Sequence, residues 1–480
     1  MGNGLNSVAA VVLAGGKGTR IGQHLPKVLY PVVGRPMLHY TLRIIEEIPV
    51  PEIYMVVGFR AIDVKGSLRN KKIKFVYQKE QLGTAQAVSL AVKEVSPDTK
   101  DVIVFNGDDS AFFEPSTLRK FMESHKVFGA PVSLITVKMP NPRGLGRIIR
   151  NEENEITGIV EEKDATESER EIKEVNTGCF IFDKEWLTGA LPAVEKNQSG
   201  EYYLTDLIGI AVKAGEKINA FLLNDAGEWL SVNTQEELEE ADKKMLEKLI
   251  KQKSGVKTVF ILDADNTLLD TEAIKKLISS KLVPELLNKF EPAKDPSMAV
   301  KVFWDEYDRT REELKYVSIP DFSENFAKRV GDESLAPAIK EMFYGLPFND
   351  FLLEGAGDLV KLIGPQGEVI IFTDGDLAYQ PMKVKNLSFS GEVDEIFVYE
   401  DKMGKIPDII RIYKNARKFV FDDKVTVLEE FKRMDENAIT VHLKQGSYKD
   451  LPPKDEKFRA DFEAASTREA LNLVKNNFTK

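Results

Sequence analysis

Two stretches of the chain carry residue types and spacings that could bind or move phosphate groups. The first is LAGGKGTRIGQHLPKVLYPV, residues 13 to 32, which continues the apolar run starting at Val8. Leu13 closes the apolar part, and Gly15, Gly16 and Gly18 would let backbone N–H groups approach a polyphosphate closely. Arg20 and Lys27 would bring positive charge to its non-bridging oxygens. No Gly-Lys-Ser/Thr follows, so this is not the Walker arrangement; taken alone, the turn reads equally well as an ordinary loop. The second stretch is FILDADNTLLD, residues 260 to 270, where an apolar run ends in repeated aspartates. EVIIFTDGD and KFVFDD, further on, end in threonine and aspartate in the same way. If all three runs are strands of one parallel sheet, their acidic ends meet at one edge, where open α/β sheets bind ligands.

The elements that must position these residues can be read from hydrophobic pattern. VAAVVLAGG near residue 8 and TVFILDADNT near residue 258 each look like the first buried strand of a parallel sheet. In the first half, IYMVVG, DVIVFNGDD and PVSLITV alternate with helical stretches such as MLHYTLRIIEEI, which predicts an α/β fold with a largely parallel sheet. Leu238, Ala241, Met245 and Leu249 recur at helical spacing in TQEELEEADKKMLEKLIKQK, the closing helix of a first domain. The boundary is expected near Ser254 and Gly255, giving domains 1–253 and 254–480. Residues 271 to 350 read as amphipathic helices, a helical cap on the second domain.

Composition fits two soluble domains. At 480 residues the chain exceeds what one core usually serves. Its net charge of -11 argues against a nucleic-acid partner, which would need a basic face. Cys179 is the only cysteine, so there is no intrachain disulfide, in keeping with a reducing compartment. The first apolar run is too short to span a bilayer and no leader-like segment precedes it, so a cytoplasmic protein with no membrane partner is expected.

In the first half, GGxGTR followed after six residues by Pro-Lys resembles the signature of the sugar-nucleotide pyrophosphorylases. YQKEQLGTAQA, NGDD, GLGRI, GIVEEKDAT, EVNTG, GEYYLTD and SVNTQ follow in order and resemble the uridyltransferase half of the bacterial bifunctional N-acetylglucosamine-1-phosphate uridyltransferases. The resemblance covers about residues 8 to 250. It implies a Rossmann-like domain that joins a nucleoside triphosphate, UTP, to a sugar 1-phosphate, N-acetylglucosamine 1-phosphate, and releases pyrophosphate. Asp108 and Asn233 would hold Mg²⁺, with Asp109 as a rival to Asp108. Arg20 would grip the leaving pyrophosphate and Lys27 the α-phosphate. Gln78 and Gly83 would read the base, with Gln81 and Thr84 beside them. Gly146, Glu161 and Asn176 would contact the sugar, and Lys163 its phosphate. Two departures loosen the base and metal assignments: LAGG stands where the uridyltransferases usually have LAAG, and NGDDSA where they have YGDVP. No hexapeptide repeat follows residue 250, so acetyl transfer is not expected.

In the second half, DxDxT after a buried strand resembles the first motif of the haloacid dehalogenase superfamily, implying a capped α/β domain that hydrolyses a phosphorylated small molecule. Asp263 would be the nucleophile, Asp265 the general acid and base, and Thr373 a hydroxyl ligand of the transferring phosphoryl group. Asp422 and Asp423, with Asp263 and the backbone carbonyl of Asp265, would hold a second Mg²⁺. The lysine this family needs is assigned to Lys405 in GKIPDI, with Lys402 as a close rival. The chain reads as a bifunctional enzyme. The alternatives are a transferase carrying an idle scaffold or dimerisation domain, and a sugar-nucleotide sensor. Neither a homo-oligomer nor the phosphatase substrate is fixed by the sequence.

Overall fold

The computed structural model describes residues 7–18, 20–21, 25–68, 72–197, 200–290, 296–314 and 316–477. They divide into two compact units, one of residues 1–32 and 36–241, the other of residues 33–35 and 242–480. The division falls inside the helix Gln235–Gln252 and not after it, as the sequence had suggested.

The strands of the main sheet of the first unit are β1 (Val8–Ala14), β2 (Glu52–Val57), β3 (Ile73–Tyr77), β4 (Asp101–Asn106), β5 (Val132–Lys138), β6 (Arg147–Arg150), β7 (Ile156–Val160), β8 (Glu174–Asp183) and β9 (Ile218–Leu222). Among the described residues they form one sheet in the order β9-β5-β8-β4-β1-β2-β3, with β6 and β7 as a hairpin off β8. β1 lies between β2 and β4, parallel to both. Val8 to Val12 and Ala14 are accordingly buried, which explains an unbroken apolar run where a one-sided sheet would alternate. β8 runs antiparallel to β4 and β5. The parallel arrangement carries the turn after β1 and the NGDD turn after β4 to the same edge.

In the second unit, β10 (Thr258–Leu262), β11 (Glu368–Asp374), β12 (Glu395–Tyr399), β13 (Arg417–Asp422), β14 (Ile439–Leu443) and β15 (Phe462–Ala464) form a wholly parallel sheet in the order β12-β11-β10-β13-β14-β15. The aspartate-bearing ends of β10, β11 and β13 are therefore neighbours at one edge. Both units are α/β, and the second carries a group of helices between β10 and β11.

The cap helices lie between β10 and β11. Thr271–Leu277 starts on Asp270, whose carboxylate accepts from Ala273 N, and Ile319–Val330 starts on Ser318, whose hydroxyl accepts from Asp321 N. The latter helix ends at Gly331, at φ 85°, where a side chain would be strained. Phe303, on the helix Pro296–Leu314, packs edge-on against Phe322 and Phe326, with ring centroids 4.8 and 5.3 Å away, and faces Phe343. Asp376 joins the cap to the sheet end by accepting from Ile319 N at 2.7 Å. No helix among the described residues is long and apolar enough to cross a membrane.

Phe303 is fully buried at the centre of these rings. Phe303→Ala is expected to destabilise the second unit by about 3–5 kcal/mol, the usual cost of emptying an aromatic site that cannot collapse. A lowered midpoint in urea unfolding would report it.

Candidate active sites

A cavity of about 690 Å³ opens at the β1 and β4 strand ends of the first unit. Its wall includes Leu13, Gly15, Gly16, Gly18, Lys27, Gln78, Gln81, Gly83, Thr84, Asp108 and Asn233, all singled out in the sequence. Thr19 and residues 22–24 of the glycine-rich signature lie outside the described residues. Gly18, at φ 67°, is in the left-handed region, and a Cβ there would stand 2.7 Å from that of Lys27. Glycine at this position is what lets Lys27 come in under the turn.

Lys27 Nζ lies 2.8 Å from Asn233 Oδ1 and is ion-paired with Asp108 Oδ2. Arg20 Nη2 is 3.1 Å from the same Asn233 oxygen. A carboxylate oxygen and an amide oxygen thus converge on one point held by an ammonium, and this pair of hard oxygens suits Mg²⁺. Asp109 is turned elsewhere: its carboxylate accepts from Asn106 Nδ2 at 3.1 Å and Ser110 Oγ at 3.4 Å. Burial and the neighbouring Asp108 push Asp109 well above the usual carboxylate range. Asp108 is therefore the carboxylate that faces Lys27 and Asn233.

The loop that carries Gly83 and Thr84 is sewn to a second segment. Tyr202 N donates to Leu82 O, Ala85 N to Tyr202 O, and Leu204 N to the Thr84 hydroxyl. Gly83 sits at φ 106°, and a Cβ there would stand 2.8 Å from Tyr202 N and closer still to its carbonyl oxygen. Thr84 is thus occupied in holding the loop. Among the residues expected to contact the sugar, none of which lines this cavity, Asn176 N donates to Gly146 O at 3.0 Å, bringing those two together. Glu161 accepts from the Thr205 hydroxyl at 3.3 Å, and Lys163 Nζ is 2.9 Å from Tyr203 Oη, a side chain that also lines the cavity. Burial raises the Glu161 carboxyl above its usual value.

In the second unit, Lys402 is the lysine that meets both Asp263 and Asp422. Its Nζ is 2.6 Å from Asp263 Oδ1 and 2.7 Å from Asp422 Oδ2. Lys405, favoured in the sequence for its nearby proline, lies half-exposed beside Asp408, with Nζ 3.8 Å from that carboxylate. Pro407 serves the first turn of the helix Ile406–Ile412, where its missing N–H costs nothing. The signal that could have chosen Lys402 is its place three residues beyond the end of β12, in step with the other polar strand ends.

Oxygens of Asp263, Asp422 and Asp423 lie within 4.8 Å of one another. Both Asp423 oxygens are buried without a hydrogen-bond partner, as is the Thr373 hydroxyl. An orphaned buried carboxylate beside two others fits a divalent cation. Burial pushes Asp423 up to about 8 and Asp263 to about 7, the latter despite Lys402. Burial opposes the charge on Lys402, yet Asp263, Asp422 and Asp374 outweigh it and hold the ammonium well above its usual range. Sequence reasoning missed three further groups here. Lys383 Nζ and Gln380 Nε2 hold the two oxygens of Asp265 at 2.5 and 2.8 Å and keep that carboxyl low in spite of burial. Lys424 lies 3.2 Å from both oxygens of Asp374.

A family model described as nucleotidyl transferase matches residues 9–248, half of the chain. The Bifunctional protein GlmU of Desulfotalea psychrophila is 38% identical over 241 residues, 50% of this chain and 71% of that protein. This chain belongs to the nucleotidyl transferase family. The protein of the same name from Oceanobacillus iheyensis is 39% identical over 264 residues, 55% of this nucleotidyl transferase and 57% of its relative. The chain therefore spans a little over half the length of the curated relatives first matched. A solved structure described as a haloacid dehalogenase-like hydrolase, from Burkholderia xenovorans, is 22% identical and covers 45% of this chain and 98% of its own, with a TM-score of 0.38.

A carboxyl with a higher pKa folded than unfolded binds more protons in the native state, so its contribution to stability falls as pH rises from the ordinary carboxylate range through the folded value. In a chelator, the second unit is expected to lose stability as pH approaches 8, the value to which Asp423 is pushed. Added Mg²⁺ is expected to stabilise the unmutated protein, and Asp423→Asn should both flatten that slope and remove the gain from Mg²⁺. Thermal unfolding across pH, with and without Mg²⁺, measures both effects.

Proposed function

We propose that the first unit transfers UMP from UTP to N-acetylglucosamine 1-phosphate, releasing pyrophosphate, and that the second hydrolyses a phosphate ester through an aspartyl-phosphate. The observation that carries the first reading is the convergence of Lys27, Asp108 and Asn233 beside the glycine-rich turn, in a chain of the nucleotidyl transferase family. In this transfer an oxygen of the sugar phosphate attacks the α-phosphorus while the bond to the bridging oxygen breaks and pyrophosphate leaves. Two anions must be brought together, so the chain's own task is to neutralise and align them. Lys27 would meet the α-phosphate and Arg20 the leaving pyrophosphate. Asp108 and Asn233 would hold Mg²⁺, which when bound supplies further positive charge to the phosphate oxygens. Gln78 and Gly83 would receive the uracil, with Gln81 and Thr84 supporting their loop, and Gly146, Glu161, Asn176 and Lys163 the sugar phosphate.

For the second unit, Asp263 would attack the phosphorus as the ester oxygen leaves, and Asp265 would give that oxygen a proton and later take one from the attacking water. The unpartnered Thr373 hydroxyl and the buried Lys402 would hold the transferring group, and Asp263, Asp422 and Asp423 a divalent cation. An idle scaffold would have no use for orphaned carboxylates packed at a strand edge, and this favours hydrolysis over a scaffolding role.

Incubation with each nucleoside triphosphate, a panel of sugar 1-phosphates and Mg²⁺ tests the first reading by product identity. UDP-N-acetylglucosamine should form fastest, and equal or faster turnover with dTTP or GTP and an unacetylated sugar would overturn the assignment. Asp108→Ala or Asn233→Ala should slow transfer by about a hundredfold or more without unfolding the protein.

The second reading is tested by phosphate release from phosphorylated sugars and nucleotides. Asp263→Asn and Lys402→Met should both abolish release, while Lys405→Ala should leave it nearly unchanged. Loss of activity in Lys405→Ala with a folded protein would contradict the proposed site.

A further inference from the structure

The carboxamide of Gln78 could offer a base either a donor or an acceptor, and its surroundings choose between them. Its Nε2 lies 3.2 Å from Gly83 O and 2.6 Å from Gln86 Oε1. A backbone carbonyl can only accept, so the atom facing Gly83 must be the NH₂ group. Gln86, in the first turn of the helix Thr84–Val92, takes the second amide proton, and both donors are then engaged by the protein. The remaining oxygen faces Gly15, lying 2.6 Å from where a Cβ on that residue would stand. Gln78 and Gly15 line the cavity, while Gln86 is not among its lining residues. Gln78 is almost fully buried, at 4% exposure, and a side chain so enclosed has little freedom to turn over.

We propose that Gln86 is a positioning residue that sets the polarity of the base-reading edge through Gln78. The edge then presents an acceptor. It welcomes a base with a ring N–H donor, such as uracil, thymine or guanine, and refuses cytosine and adenine, whose ring nitrogen there is itself an acceptor. Two acceptors facing each other in a cavity leave both unpaired, which a site of this kind penalises strongly. The inference rests on Gln78 facing the base, as in the transferase reading above.

Three substitutions separate polarity from packing. Gln86→Glu keeps an acceptor against Nε2, Gln86→Leu removes it and Gln86→Lys replaces it with a donor. With sugar 1-phosphate saturating, kcat/KM for UTP and for CTP is measured on each full-length variant, and equilibrium binding of both nucleotides is measured alongside. The unmutated protein should favour UTP by about a hundredfold or more, as sites built on a hydrogen bond do. Gln86→Glu should retain that ratio within about threefold, whereas Gln86→Leu and Gln86→Lys should narrow it by about tenfold or more, chiefly through KM for UTP. KM for the sugar 1-phosphate should stay within about twofold throughout, because a change confined to the base edge does not remove binding elsewhere. An unchanged UTP to CTP ratio in folded Gln86→Leu and Gln86→Lys overturns the proposal, as does equal binding of UTP and CTP by the unmutated protein. Selective UTP binding without any transfer would instead overturn the transferase reading, and the binding ratios of the variants would still decide the polarity.

Discussion

Each unit holds an ammonium against two side-chain oxygens that the chain brings from distant positions. Lys27 lies against Asp108 and Asn233 in the first, and Lys402 against Asp263 and Asp422 in the second. Carboxylates withdrawn from water are costly unless something positive faces them, and a parallel sheet gathers the ends of its strands along one edge. That constraint accounts for much else. The turn after β1 must contain glycine so that Lys27 can pass beneath it, and the loop after β12 must carry its lysine inward to a fully buried position. The second unit is the more demanding case, since oxygens of Asp263, Asp422 and Asp423 lie within 4.8 Å of one another and the Asp423 carboxylate has no hydrogen-bond partner among the described residues.

Much of this was legible in the sequence because it depends on local pattern. Apolar runs ending in glycine or aspartate marked the buried strands and the side of the sheet on which the sites lie. The residues of the glycine-rich turn, of QKEQLGT and of SVNTQ reach one cavity although more than two hundred positions separate the first from the last. What was not legible is decided by side-chain direction. Asp108 and Asp109 are adjacent and chemically identical, and only the backbone after β4 turns one toward Lys27 and the other toward Asn106. Lys405 was favoured for a proline that serves a helix start, while Lys402 owes its position to where β12 ends. Gln86, Gln380, Lys383 and Lys424 carry no local signal, because each matters only through a partner distant in the chain or a turn away on a helix.

The two acidic edges differ in what surrounds them. In the first unit the oxygens face a wide cavity with amide, hydroxyl and glycine surfaces along its wall, as large substrates with several hydrogen-bonding groups require. In the second, Asp265 is clamped by Lys383 and Gln380, and Asp376 fixes the start of a cap helix over the same edge. The aromatic rings around Phe303 give that cap a core of its own. The second edge is thus covered by a layer with independent packing, whereas the first is walled by loops tied to one another.

Those ties also bear on binding entropy. Residues 82–85 are joined to residues 202–204 by backbone and side-chain hydrogen bonds, and the approach at Gly83 is too close for any other residue. A loop so fixed has few conformations to lose when a ligand arrives, so the ordering cost that usually weakens recognition by loops is largely met during folding. Under the proposed function, discrimination at such a loop comes at little expense in affinity, because a nucleotide would meet a surface already in its working shape.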